Sequence, residues 1–238
     1  MKPIIGNKDI ERHGNLEFNA SSLPFEPWTA EQVAAQIESP QLEQHLHEVY
    51  NEMGASSTVN HKLNVLIYFE SIILNSNVAN RLINSAFMSI LMKLLKNVKN
   101  PHLKMRLCSI LGQLVRHSTV IGNDVAESGL SALLCDVVKD KNEKVRRKAV
   151  ASLGELLFYA ATQLDDEHAD PVWEISPQSV QVLISCLDAQ QDEIVRFYAC
   201  KTIENITAQS ISAGCSFANL DVVTLLFHVY NSVSDETF

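Results

Sequence analysis

The chain lacks the motifs on which most catalytic and nucleotide-binding sites are built. No Gly-x-Gly-x-x-Gly, no phosphate loop ending in Gly-Lys-Ser/Thr and no Gly-x-Ser-x-Gly elbow occurs in its 238 residues. No apolar run reaches the roughly 18 residues that a spanning helix needs, so no membrane helix is expected. The N-terminus has no basic stretch followed by an apolar core, the mark of a secretory signal. The cysteines (Cys108, Cys135, Cys186, Cys200, Cys215) form no Cys-x-x-Cys pair. That removes the commonest zinc and redox spacings and leaves free, mostly buried thiols in a reducing cytosol as the expectation. Glycine (8) and proline (7) are scarce, which argues against an all-β fold with its many tight turns. His45 and His47 stand two apart on a predicted helix and so point about 200° apart, too far round to share a metal. His102 and His117 are isolated, and the histidines read as solvated or capping side chains. Glu155 and Glu204 have no partnered carboxylate nearby in sequence. No catalytic residue, cofactor or metal is expected.

What the chain does have is a segment that occurs three times. Leu103 to Leu114 (LKMRLCSILGQL), Val145 to Leu156 (VRRKAVASLGEL) and Val195 to Ile206 (VRFYACKTIENI) align at offsets of 42 and 50 residues. A helical unit recurring at about 40–47 residues is the mark of an armadillo or HEAT solenoid. The expected fold is therefore all-α: an armadillo/HEAT-type right-handed superhelix of about four to five repeats. Each repeat is one supersecondary unit that buries its apolar face only against its neighbours. Such folds bind or scaffold far more often than they catalyse.

Apolar spacing places the helices. Thr29 caps one that runs to about Glu38, with Gln32 at the capping-box position. Leu42, Leu46, Val49 and Tyr50 form the next stripe. Residues 60–75 follow, with Leu63, Ile67 and Leu74 as the expected apolar face, then a short helix over 77–83. The clear repeats have first members at 86–97, 129–139 and 178–189 and second members at 101–116, 143–162 and 192–209. Asn100 before Pro101 and Ser176 before Pro177 mark two helix starts, and Asp192 is placed to cap a third. Gly112 and Gly154 occupy equivalent mid-helix sites, where glycine costs about 1 kcal/mol against alanine. Close packing against a neighbouring repeat is the expected reason. Residues 164–176 form an acidic loop carrying Trp173. Residues 220–233 read as another first helix without its second, which suggests a chain cut from a longer protein.

Residues 1–27 have no helical period, and Pro3, Gly6, Gly14, Pro24 and Pro27 interrupt them. Yet Ile4, Ile5, Ile10, Leu16, Phe18, Leu23, Phe25 and the following Trp28 are apolar, which a plain linker would not be. The expectation is an extended arm packed on a repeat domain that covers 28–238. Packing along the first repeats is favoured because Trp28 leads directly into them.

Charge is unevenly spread. Residues 81–148 hold 13 of the 19 Lys and Arg but only 5 acids. Lys139, Lys141, Lys144, Arg146, Arg147 and Lys148 form the densest run, and Lys93, Lys96, Lys99, Lys104 and Arg106 occupy the matching turn one repeat earlier. Successive turns stack in a solenoid, so these read either as solvated surface or as one ridge for an acidic partner. Acidic protein tails such as tubulin's, phosphoproteins and nucleic acid are the candidates. The ridge has no aromatic stacking residues and the chain is acidic overall (net −9), both of which count against nucleic acid. Gln113, Glu155 and Asn205 share one position in the three second helices. They are either merely exposed or a polar ladder able to hydrogen-bond the backbone of an extended peptide, the N-terminal arm included.

Several stretches carry a resemblance. Ala151 to Gln163 (ASLGELLFYAATQ), Pro171-Val-Trp173 after an acidic loop, Lys201 to Ile206 and the opening Pro3 to Ile10 (PIIGNKDI) resemble the armadillo-type region behind the kinase domain of the Fused, RUNKEL and unc-fifty-one-like-kinase-four group. The resemblance runs in order over most of the chain. It implies a regulatory or scaffolding region of a kinase or pseudokinase, in the cytoplasm, at microtubules, cilia or the plant cell-division apparatus. The partners it implies are tubulin or another Fused-like kinase. No Val-Ala-Ile-Lys, His-Arg-Asp or Asp-Phe-Gly occurs, so no catalytic role passes to any residue here. A free-standing armadillo adaptor, a nucleic-acid-binding HEAT protein and a helical enzyme with a site assembled from distant residues remain as alternatives.

Overall fold

Side-chain caps set most of the helix starts. In the computed structural model, which describes residues 17–54, 58–164 and 172–232, Thr29 and Gln32 close a reciprocal capping box on α1 (Ala30–Ala35). Thr58 caps α3 (Val59–Ile72), after α2 (Pro40–Gly54). Asn75 caps α4 (Ser76–Ile83) and Ser85 caps α5 (Ala86–Asn97). Asn100 accepts from the Leu103 amide ahead of Pro101 at the start of α6 (Pro101–His117). The short α7 (Asn123–Glu127) and α8 (Leu130–Val137) begin after glycines instead. Gly129 stands at φ 79°, left-handed backbone that favours glycine. Then come α9 (Glu143–Leu164), α10 (Pro177–Ser185), α11 (Glu193–Gln209), α12 (Ile211–Cys215) and α13 (Leu220–Ser232). Ser176 and Asp192 cap α10 and α11. No strand occurs among the described residues, and the fold is all-α and armadillo-type.

The chain divides into two compact units, one within Ile5–Ser128 and the other mainly Gly129–Phe238. In the first, α3 packs on α6 and α4 on both α5 and α6. Its core is aromatic where α2, α3 and α5 meet: the rings of Phe69 and Phe87 lie 4.1 Å apart, and Tyr50 stacks on Phe87 at 5.6 Å. Burial pushes the Tyr50 hydroxyl up to about 12, against its hydrogen bond to Ser85. In the second unit α9 packs along α11 and on α8. A Cβ added at Gly154 would collide with Oγ1 of Thr202 on α11, so the mid-helix glycine is there for close helix approach. Gly112 is buried in α6.

Two sequence expectations need correction, and two short helices stand where none was expected. The core face of α3 is not Leu63, Ile67 and Leu74 but Val65, Leu66, Tyr68, Phe69 and Ile72; Leu74 lies beyond the helix and is 63% exposed. The segment is apolar on nearly every side, so its period could not show which face turns inward. His45 is not solvated but 7% exposed, enclosed by aromatic rings. The helices α7 and α12, five residues each, are too short for a period to reveal. Trp173 does lie in a loop, buried and edge-on to Tyr159 with ring centres 4.9 Å apart; residues 165–171 of that loop lie outside the described residues.

Of the expected arm, residues 17–27 are described, and Ile4, Ile5, Ile10 and Leu16 lie outside. The described part lies against α2 and α3. Asn19 exchanges two hydrogen bonds with the Asn64 side chain, 2.7 and 2.9 Å. Phe18 meets Tyr68 edge-on, and Phe25, buried, touches both His45 and Tyr68.

Candidate protein-interaction surfaces

In the second unit the face of the second repeat helices is carried by α9 and α11. Glu155 and Asn205, the aligned polar positions, are both half-buried there. They flank the close contact of Gly154 with Thr202, which holds the two helices at short range. The amide nitrogen of Asn205 is buried and has no hydrogen-bond partner among the described residues. A buried donor left unmatched costs about 1–3 kcal/mol. Glu155, a carboxylate, accepts only. Gln113, the corresponding residue of the first unit, is half-buried and donates to Ser109 Oγ at 3.0 Å, one turn back on α6.

The basic residues separate by type. The arginines are used in holding the fold. Arg81 pairs with Glu43, and Arg106, 12% exposed, pairs with Glu70 across α6 and α3. Arg147 grips Asp192 through two bonds of 2.6 and 2.8 Å and also reaches Glu143. Arg146 donates to the backbone carbonyls of Asp140 and Lys141. Burial alone would raise the Asp192 carboxyl, but Arg147 and the amides at the start of α11 hold it below the ordinary value. Hydrogen bonding to Asp192 raises Arg147 in turn. The lysines are different. Lys93, Lys96 and Lys99 at the α5–α6 turn, and Lys139, Lys141 and Lys144 at the α8–α9 turn, are exposed and make no ion pair among the described residues. Lys104 and Lys148 are half-buried and engaged.

The third feature was not visible in the sequence. Trp28 stacks flat on His45, ring centres 4.5 Å apart and 3° from parallel. The Trp28 amide donates to the Tyr68 hydroxyl (3.2 Å), which lies 3.1 Å from His45 Nε2. Burial pushes the Tyr68 hydroxyl up to about 12 and His45 down, the latter against a smaller upward pull from Glu48. The only sequence hint was an apolar arm ending in tryptophan; nothing tied it to a histidine on α2. Among the described residues no three His, Cys, Asp or Glu converge as metal ligands would.

With this geometry in view, the comparisons with known proteins fall into place. No protein-family model matches the chain. It is 34% identical over 195 residues, 77% of its length, to the serine/threonine-protein kinase RUNKEL of Arabidopsis thaliana. It is 23% identical over 237 residues, 97% of its length, to the serine/threonine-protein kinase ULK4 of Mus musculus. The chain spans only 14% and 18% of these two proteins. Among solved structures, a designed armadillo repeat protein matches with a TM-score of 0.55 and 18% identity over 87% of this chain and 88% of that one. An engineered protein matches at 0.58 and 13% over 87% and 91%. A second designed armadillo repeat protein, in complex with the peptide (KR)4, matches at 0.50 and 15% over 84% and 97%.

Proposed function

We propose that this chain, an armadillo-type region related to the RUNKEL and ULK4 kinases, is a non-catalytic scaffold that binds an extended polypeptide on the α9–α11 face. The carrying observation is the Asn205 amide, buried with no acceptor. A main-chain carbonyl of a bound segment would complete it, and Glu155 on the neighbouring helix would accept a main-chain N–H. A donor on α11 and an acceptor on α9 suit a backbone, which presents both groups along its length. Gly154 supports the reading, because it brings the two helices close enough for one segment to reach both. The designed relative bound to (KR)4 lends the general mode: an armadillo repeat protein holding a peptide.

The test starts from a displayed library of random peptides selected on the full chain. The selected peptide is then titrated against Asn205→Ala and Glu155→Ala. Each substitution should weaken binding by about tenfold, the worth of one hydrogen bond to a buried group, and for Asn205→Ala the melting temperature should hold. Peptides that bind both variants as tightly as the parent would sink the reading.

Similarity to these two serine/threonine-protein kinases supports a role within a larger kinase or pseudokinase. We further propose action in the cytoplasm at microtubule-based structures or cilia, with tubulin or another kinase of the group as partner. Co-sedimentation with purified microtubules addresses it directly: the chain should pellet with them at low salt, and its staying in the supernatant at every salt counts against a direct microtubule role.

A further inference from the structure

We propose that the α5–α6 turn and the α8–α9 turn are each docking surfaces for a flexible, glutamate- or aspartate-rich protein segment, recognised by lysines left over after the arginines are used in the fold. Residues 81–148 carry 13 basic side chains and 5 acids. Were that excess there to hold the structure, its members would be paired. The arginines are: Arg81, Arg106 and Arg147 pair with carboxylates and Arg146 with carbonyls. The six exposed lysines are not. Lys93, Lys96 and Lys99 follow one another at three-residue spacing along one edge of α5 and its turn. Lys139, Lys141 and Lys144 crowd the turn before α9 and its first turn. Like charges this close repel, a cost to the fold that Lys96 offsets in part by standing in the last turn of α5.

The chemistry of the leftover groups selects the partner. Lysine is a compact point charge on a flexible stem, whereas the planar arginine fork is what matches a phosphate or one fixed carboxylate. With the arginines withdrawn, each surface is a set of mobile ammonium groups without fixed geometry. That suits an unstructured acidic segment, which offers many carboxylates and no fixed geometry of its own. Nucleic acid fits less well. Neither lysine group includes an aromatic residue for stacking bases. The two surfaces belong to different units, and the proposal holds for each by itself. It is independent of the α9–α11 face, whose Asn205 takes no part in it.

The experiment measures fluorescence anisotropy of a labelled oligoglutamate peptide titrated with the full chain at low ionic strength. Two triple variants are made: Lys93→Glu with Lys96→Glu and Lys99→Glu, and Lys139→Glu with Lys141→Glu and Lys144→Glu. Each alone should remove one of the two peptide sites, both combined in one chain should weaken the peptide by at least about tenfold, and added salt should weaken the parent steeply. All six positions are exposed, so helicity and melting should stay near the parent's. Asn205→Ala should bind oligoglutamate as the parent does, which separates this proposal from the peptide face. No binding by the parent, or equal binding by either triple variant, overturns the corresponding surface. A single-stranded oligouridylate of the same length that binds more tightly than the peptide at matched salt overturns the choice of an acidic protein segment.

Discussion

Gly154 and Asp192 show how single residues of the second unit decide its packing. Alanine at 154 would gain about 1 kcal/mol of helix propensity, yet its Cβ would strike Thr202 Oγ1 on α11. Forcing the helices apart costs about 1–3 kcal/mol, so Gly154→Ala should destabilise on balance. Thr202→Ala removes the struck atom, and the double variant should recover most or all of the loss in a urea melt; a double variant no better than the single would show that the collision is not the cause. Asp192 does two jobs, accepting from the Val195 amide as the cap of α11 and binding Arg147. Asp192→Ala should therefore cost more than the roughly 1 kcal/mol of an ordinary lost cap. In a double-mutant cycle with Arg147→Ala the two losses should not add; additivity would mean that the pair contributes nothing. A glycine in mid-helix announces itself in sequence, and so does Asp192 as a cap. Its ion pair does not, because Arg147 stands 45 residues away and only the stacking of α9 on α11 joins them.

At the scale of the helix, legibility followed the contrast between faces. The residues expected over 86–97 form α5 over those same positions, because polar residues flank a clear stripe and Ser85 caps it. The α3 segment has no such contrast, and there the expected face was wrong. In α13 the buried positions are Val222 and Val229, while Leu220, Val223, Phe227 and Tyr230 recur along another face, with Phe227 63% and Tyr230 81% exposed. Substitutions separate the two faces. Val222→Ala and Val229→Ala should each cost about 2 kcal/mol through lost burial and a residual cavity. Phe227→Gln and Tyr230→Gln should stay within about 0.5 kcal/mol of the parent and lower the binding of a hydrophobic dye. A large loss of stability at Phe227 would mean that this face is covered.

For the molecule as a whole, repetition made the fold readable: three copies of one pattern give both the class and the period, whatever the detail of any one helix. What repetition could not show is the part that departs from it, namely the stretch before α1. There Trp28 and Phe25 enclose His45 against Tyr68, and the enclosure has a pH consequence. His45 is held below its ordinary 6.5 by burial, with Glu48 of its own helix pulling weakly upward; the arm presents uncharged Trp28 and Phe25 to it, and α3 presents Tyr68, whose own proton leaves only near 12. His117 at the end of α6 is lowered too, by burial first and then by Arg116. Both histidines bind a proton less readily folded than unfolded. Their contribution to stability is thus present in full above about 6.5, is lost progressively as pH falls below that value, and levels off below the folded pKa. Asp192, depressed from 3.8, gives way only in still stronger acid. Urea midpoints measured from about pH 7.5 down to about pH 5 should therefore fall. His45→Phe keeps a ring beneath Trp28 but cannot titrate; combined with His117→Gln it should flatten the slope even though it lowers stability at neutral pH by removing the acceptor for Tyr68. A double variant as pH-sensitive as the parent would place the titrating groups elsewhere.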